Sequence, residues 1–224
     1  MMTETPVETA VILAGEAPQG LAQAVLLRLA AECPRPFFLA ADGGALHLAK
    51  LGLAPDLIIG DNDSAPPQLL PQVPRQVYPR AKDFSDGEAA YDFALCRGQG
   101  RIAVFAALGG RMDHCLANLF LPLRRPEQAE RFVLYGADCR AIYSQGRACI
   151  EGQPGDRISV LPLTPQLRGL TLDGLVYPLS EFDLIAGSSL AICNEMAASR
   201  CEIRHCEGLA IIFHYPLGGI LNKP

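Results

Sequence analysis

The sequence contains no tryptophan, no Cys-x-x-Cys pair and no unbroken apolar run of the roughly 18 to 20 residues that a bilayer span requires. A membrane protein and a paired-cysteine metal or redox site are therefore not expected. Basic residues are in the minority, 19 Lys plus Arg against 24 Asp plus Glu for a net charge of −5, so there is no electrostatic footprint for nucleic acid. Ahead of its short apolar run, the N-terminal stretch MMTETPVETAVILAGEAP is acidic, the reverse of a secretory signal, and a cytoplasmic protein is expected. The eight cysteines are scattered and are expected to be reduced and structural; Cys201-x3-His205-Cys206 lacks the second ligand pair of a zinc site. Also missing are G-x-x-x-x-G-K-S/T, G-x-G-x-x-G after the first strand, G-x-S-x-G and H-E-x-x-H. These absences exclude a P-loop, a dinucleotide fingerprint, a hydrolase elbow and a zincin helix.

What is present is a 224-residue chain, half hydrophobic, long enough for one ordinary domain and a smaller one. Short apolar runs at Val11–Ala14, Phe37–Ala41, Leu57–Ile59, Ile102–Phe105 and Phe132–Tyr135 read as buried strands. Between them, Leu21–Ala31, Ala45–Leu51, Asp86–Cys96 and Met112–Leu123 carry helical spacing. From about Asp138 the helical period stops. Short runs at Ala141–Tyr143, Arg157–Leu161, Leu170–Leu172, Ser189–Ile192, Cys201–His205 and Leu209–Phe213 are separated by Gly, Pro, Asn and Asp, and the Pro-rich Ala65–Pro79 reads as a loop or a short broken helix. The expected architecture is an N-terminal Rossmann-like α/β domain with a parallel sheet over residues 1–137, followed by a small all-β sandwich over 138–224.

Acidic residues cluster. Between Asp42 and Asp92 lie eight Asp or Glu against four Lys or Arg. Asp42 follows one expected strand, and Asp61 and Asp63 in Gly60-Asp61-Asn62-Asp63-Ser64 follow another, at the sheet edge where ligands bind. Aspartates also make ordinary turns after buried strands. Crowded carboxylates, however, repel one another unless a cation joins them, and hard oxygen ligands select Mg²⁺. Asp42-Gly43-Gly44 opens a helix where backbone N–H groups can face an anion. Gly109-Gly110-Arg111-Met112-Asp113-His114 opens another, with Arg111 able to meet a phosphate and Asn118 one turn beyond His114. In Lys82-Asp83-Phe84-Ser85-Asp86 either Ser85 or Asp86 is a candidate cap, Glu88 a capping-box partner, and Lys82 a candidate phosphate contact beside the aspartates. Many carboxylates, few cations and glycine-opened helices at one sheet edge suit a metal-bound polyphosphate.

In this order, ADGGALHLAKLGLAPDLIIGDNDS (41–64), KDFSDGEAAYDFAL (82–95) and GGRMDHCLANL (109–119) resemble the signature blocks of the thiamine pyrophosphokinase (thiamine diphosphokinase) family. The stretches at 155–163, 174–179 and Cys193-Asn194-Glu195 are similar to that family's C-terminal β-domain. The resemblance implies an enzyme that moves the diphosphate of ATP to the hydroxyl of thiamine, releasing AMP, with Mg²⁺, as a homodimer whose thiamine sites lie between subunits. It implies catalytic roles for Asp61, Asp63, Lys82, Asp83 and Asp86, with metal at Asp61, Asp63 and Asp86. Nucleotide contacts would come from Asp42, Gly43, Gly44, Ser64, Arg111, Asp113, His114 and Asn118, and thiamine contacts from Ser189, Asn194 and Glu195, with Asn194 hydrogen-bonding the ring. Ser85 stands where the family usually has Thr, and Asn62 where an aromatic is usual. Without the tryptophan that some members stack on thiamine, the ring wall would be aliphatic or supplied by Phe213 or Tyr215. A diphosphokinase for another small alcohol, such as a hydroxymethyl pterin, and a non-catalytic nucleotide- or thiamine-binding protein are the alternative readings.

Overall fold

The computed structural model describes residues 6–217, which fall into two compact units: 6–121 with Arg131–Ala137, and Pro122–Glu130 with 138–217. The first unit runs β1 (Val7–Ile12), α1 (Gly20–Ala31), β2 (Phe37–Ala41), α2 (Gly44–Lys50), β3 (Leu57–Gly60), β4 (Arg75–Val77), α3 (Asp86–Arg97), β5 (Arg101–Phe105), α4 (Met112–Phe120) and, after Pro122–Glu130, β6 (Phe132–Tyr135). Its strands pair in parallel in the order β6-β5-β1-β2-β3-β4. Apolar residues bury both faces of the central strands, with Val11, Leu39, Ile59 and Val104 wholly inaccessible, as a helix-covered parallel sheet requires. Strand order turns back between β1 and β5, so the crevice beyond their C-terminal ends is the ligand position of a doubly wound sheet.

Local chemistry fixes the helices that frame this crevice. A Cβ on Gly44 would fall 2.1 Å from the carbonyl oxygen of Ile12, so glycine lets the start of α2 press against β1. Ser85 caps α3, its Oγ accepting from the Glu88 N–H at 3.0 Å, and Asp86 and Glu88 in the first turn suit the helix dipole. Tyr91 of α3 stacks on Phe132 of β6 with ring centroids 4.7 Å apart, anchoring that helix to the core.

The second unit contains β7 (Arg140–Ser144), β8 (Arg147–Glu151), β9 (Arg157–Pro162), β10 (Gln166–Asp173), β11 (Leu179–Ile185), β12 (Asn194–Glu195), β13 (Arg200–Arg204) and β14 (Ala210–Tyr215). Antiparallel pairing gives two layers, β12-β9-β14-β7 and β11-β10-β13-β8. Ile150, Val160, Leu170, Leu172, Ile203 and Ile212 belong to its core.

Several expectations are corrected. Ser189–Ile192 is not a strand: the Ile192 N–H donates to the Ser189 carbonyl, closing a turn that leaves Leu190 and Ile192 exposed. The first strand lies earlier than Val11–Ala14, and α4 stops at Phe120, giving way to a 3₁₀ turn that contains Pro122. Within Ala65–Pro79, Arg75–Val77 is a strand on the sheet edge. All eight cysteines are free thiols, but only Cys115, Cys139 and Cys201 are buried, so the other five do not fill a core. No helix among the described residues is long and apolar enough to cross a membrane.

Candidate active site

The C-terminal edge of the parallel sheet opens into a cleft of about 600 Å³. Asp42, Asp61, Asp63, Ser64, Lys82, Asp86, Arg111, His114 and Asn118 line it, bringing together residues from three separate sequence blocks. Gly43, Gly44, Asp83 and Asp113 are not part of its wall, and Asp83 is exposed. Ser189 and Glu195 are exposed in the second unit, while Asn194 is buried there.

Asp42 leaves β2 with φ +39° and is buried; its carboxylate accepts from the Ser64 N–H at 3.1 Å and the Ala65 N–H at 3.3 Å. That clasp ties the end of β2 to the loop after β3. A Cβ on Gly60 would lie 2.8 Å from the Asp42 Cβ, so the close approach depends on glycine. In the loop, Asp61 Oδ1 accepts from the Asp63 N–H at 3.1 Å, and Asn62, at φ +66°, accepts from Arg75 Nη1 at 2.6 Å. Asn62 thus shapes the turn between the two aspartates.

The result is convergence of charge. Asp42, Asp61 and Asp63 each offer a carboxylate oxygen, and these atoms lie within 4.8 Å of one another. The Ser64 hydroxyl, donating to Asp63 at 2.8 Å, holds that carboxyl below the usual carboxylate range. Lys82, with a side chain only 9% exposed, places Nζ 3.1 Å from Asp86 Oδ1 and 4.0 Å from Asp61 Oδ2. Burial pushes the Asp86 carboxyl up, with Lys82 pulling the other way. Asp86 is therefore placed beside the lysine and outside the group of three, whereas Asp42 is inside it.

Across the cleft, Arg111 grips Asp113 through two bonds, Nε at 3.1 Å and Nη2 at 2.6 Å, drawing that exposed carboxyl down to about 2. Asn118 Nδ2 donates to the Ala107 carbonyl at 3.1 Å and fixes α4 against the loop after β5. Sequence reasoning missed the loop after β1: Gly15 and Glu16 line the cleft, and His47 Nε2 lies 3.0 Å from the Gly15 carbonyl oxygen. Burial lowers the His47 pKa, favouring the neutral ring. The available signal was position alone, since these residues directly follow a strand at the ligand edge.

In the second unit the Asn194 amide is committed to the backbone. Its Oδ1 accepts from the N–H groups of Tyr177 and Glu195 at 3.0 and 2.9 Å, and its Nδ2 donates to the Tyr177 carbonyl at 2.7 Å. Asn194 thus holds the Tyr177 segment against β12.

Both parts of the chain match known proteins. The thiamin pyrophosphokinase catalytic-domain model matches residues 34–134, and the thiamin pyrophosphokinase vitamin B1 binding domain matches residues 149–209. Thiamine pyrophosphokinase of Bacillus subtilis (strain 168) is 30% identical over 178 residues, covering 76% of this chain and 83% of that protein. The crystal structure of thiamine pyrophosphokinase from Bacillus subtilis superposes with a TM-score of 0.80 at 24% identity, covering 93% of this chain and 99% of the other. Yeast thiamin pyrophosphokinase gives a TM-score of 0.75 at 12% identity, covering 100% and 90%. With both domain models matched in order and a relative of that identity covering three quarters of it, the chain belongs to the thiamin pyrophosphokinase family.

Proposed function

We propose that this chain is an ATP-dependent diphosphotransferase that makes thiamine diphosphate and AMP from thiamine and ATP. The observation that carries this reading is the convergence of Asp42, Asp61 and Asp63 beside Lys82 in the cleft of the matched catalytic domain. Three hard oxygen donors at that separation suit Mg²⁺, and Asp42, Asp61 and Asp63 are the residues that would hold it. When bound, the ion supplies charge neutralisation for the phosphate oxygens. Asp42 is fixed by two backbone N–H groups and Asp61 by its turn, so their carboxylates are aimed before ligand arrives.

Lys82 offers its ammonium to a phosphate oxygen from the other side, held in place by Asp86 and Asp61. Arg111 lines the same cleft and exchanges its exposed Asp113 partner for phosphate. The acceptor hydroxyl attacks the β-phosphorus, the bond from that phosphorus to the bridging oxygen of the α-phosphate breaks, AMP leaves and the hydroxyl proton passes to solvent. We assign ATP and Mg²⁺ binding to residues 1–137, and thiamine binding and dimerisation to 138–224. In the latter part Ser189 and Glu195 are exposed for the ring, and Asn194 acts by fixing Tyr177. ATP as co-substrate and eight free thiols support a cytoplasmic enzyme.

Chromatography of a reaction containing ATP, Mg²⁺ and thiamine is expected to show AMP and thiamine diphosphate in equal amounts. ADP or free phosphate in their place would overturn the reaction type. A homodimer is the proposed active unit, because the second unit exposes Val176, Tyr177, Ile185 and Leu190, apolar surface that a second copy covers. Sedimentation at micromolar concentration is expected to give a dimer; a fully active monomer would refute it.

A further inference from the structure

The sheet reverses its strand order between β1 and β5, and Glu16 sits at that point. Glu16 follows β1 and lines the cleft, but its carboxylate leans toward the loop after β5: a Cβ on Gly109 would lie 2.3 Å from Glu16 Oε2. Gly109 has φ +107°, a backbone conformation that side chains rarely adopt, and the Glu16 carboxylate lies in the open space beside it. Gln19 Nε2 donates to Oε1 at 3.0 Å and steadies the side chain. Asp42, Asp61 and Asp63 follow β2 and β3, and Asp86 at the start of α3 shares Lys82 with Asp61, so at the usual strand spacing Glu16 stands roughly 10 to 14 Å along the sheet edge from the far end of the Asp42–Asp61–Asp63 group.

A carboxylate accepts hydrogen bonds and repels phosphate. Where Asp42, Asp61, Asp63 and Lys82 hold the metal and phosphates and the long Arg111 side chain is free to extend to them, a Glu set away from that group faces a part of the ligand that is uncharged and carries N–H or O–H donors. A nucleoside supplies such groups as the vicinal hydroxyls of its sugar and the exocyclic amine of its base. We infer that Glu16 is a specificity-determining residue that accepts a hydrogen bond from the nucleoside half of the donor, so that the enzyme selects its nucleotide at the β1–β5 crevice as well as at the phosphates. This rests on the proposal that ATP occupies the cleft.

Equilibrium binding without acceptor tests it, comparing ATP with 2′-deoxyATP, 3′-deoxyATP, purine riboside triphosphate and inorganic tripolyphosphate, each with Mg²⁺. Wild type is expected to bind ATP roughly tenfold or more tightly than the analogue lacking the contacted group, as for a hydrogen bond to a charged acceptor. A loss on the deoxy arms assigns the sugar, and a loss on the purine riboside arm assigns the amine. Glu16→Ala is expected to erase that ratio while leaving tripolyphosphate affinity unchanged; Glu16→Gln, which keeps the size, is expected to retain part of it. Equal weakening of ATP and tripolyphosphate in Glu16→Ala, or donor ratios that do not change, would overturn the inference. Wild type that shows the Glu16-dependent preference but forms no AMP with thiamine would overturn only the proposed reaction.

Discussion

Asp61→Asn is expected to remove most turnover while leaving the fold as stable as before. The amide keeps the side chain's size and an oxygen that can still accept from the Asp63 N–H. What it removes is one of three negative charges gathered within 4.8 Å. Crowded like charges do not stabilise a fold, so urea midpoints should hold or rise. Loss of one metal-holding charge is expected to lower kcat/KM by a factor of about 10² or more, and to shift Mg²⁺ dependence to higher concentration. Asp42→Asn separates the two effects. Asp42 is buried and clasps two backbone N–H groups, so its substitution should lower the urea midpoint as well as turnover. Wild-type turnover of Asp61→Asn at limiting Mg²⁺ would remove the metal assignment.

The charge cluster was legible because it hangs on strands that are themselves legible. Phe37–Ala41 and Leu57–Gly60 are short apolar runs buried on both faces, and a parallel sheet puts the residues after them at one edge. Three of the strands not legible in the sequence lack that pattern. Arg75–Val77 has no buried residue, Arg147–Glu151 buries Ile150 alone, and Leu179–Ile185 buries Leu184 alone. All three are edge strands, which take their structure from a neighbour's backbone more than from their own side chains. Glu16 escaped for another reason: no motif surrounds it, and only the strand order reveals that its loop borders the crevice. Asn194 was legible as a polar residue of consequence but not in its role. An asparagine that could contact a ligand and one that bonds a segment 17 residues away in sequence look alike until the partner Tyr177 is placed.

Asp156→Ala is expected to be the most destabilising single change in the β-sandwich unit, costing about 3 to 5 kcal/mol as for a broken buried charge network. The Asp156 carboxylate is 1% exposed and fully used. Oδ1 accepts from the Leu217 N–H at 2.7 Å, and Oδ2 accepts from the Gln153 N–H at 3.1 Å and from His214 Nε2 at 2.8 Å. Arg140 Nε donates to His214 Nδ1 at 3.2 Å, which fixes the tautomer that carries its proton on Nε2. Gly152 completes the arrangement, since a Cβ there would lie 2.3 Å from Asp156 Oδ2. Asp156→Asn is not a mild substitute: whichever way the amide turns, its NH₂ faces a donor, the Leu217 N–H on one side or Gln153 and His214 on the other, and Arg140 prevents the ring from answering by changing tautomer. Burial alone would raise the Asp156 pKa, but the Leu217 N–H, His214 and the Gln153 N–H together hold it below its ordinary 3.8. Its folded-state pKa is thus lower than its unfolded one, so the network's contribution is present in full above about pH 4 and lost as pH falls through the folded value. Urea titrations at pH 7 and pH 3 are expected to show a large gap between wild type and Asp156→Asn at the higher pH and a smaller one at the lower. An unchanged midpoint at pH 7, or a gap that widens on acidification, would show that the carboxylate does not hold the unit together.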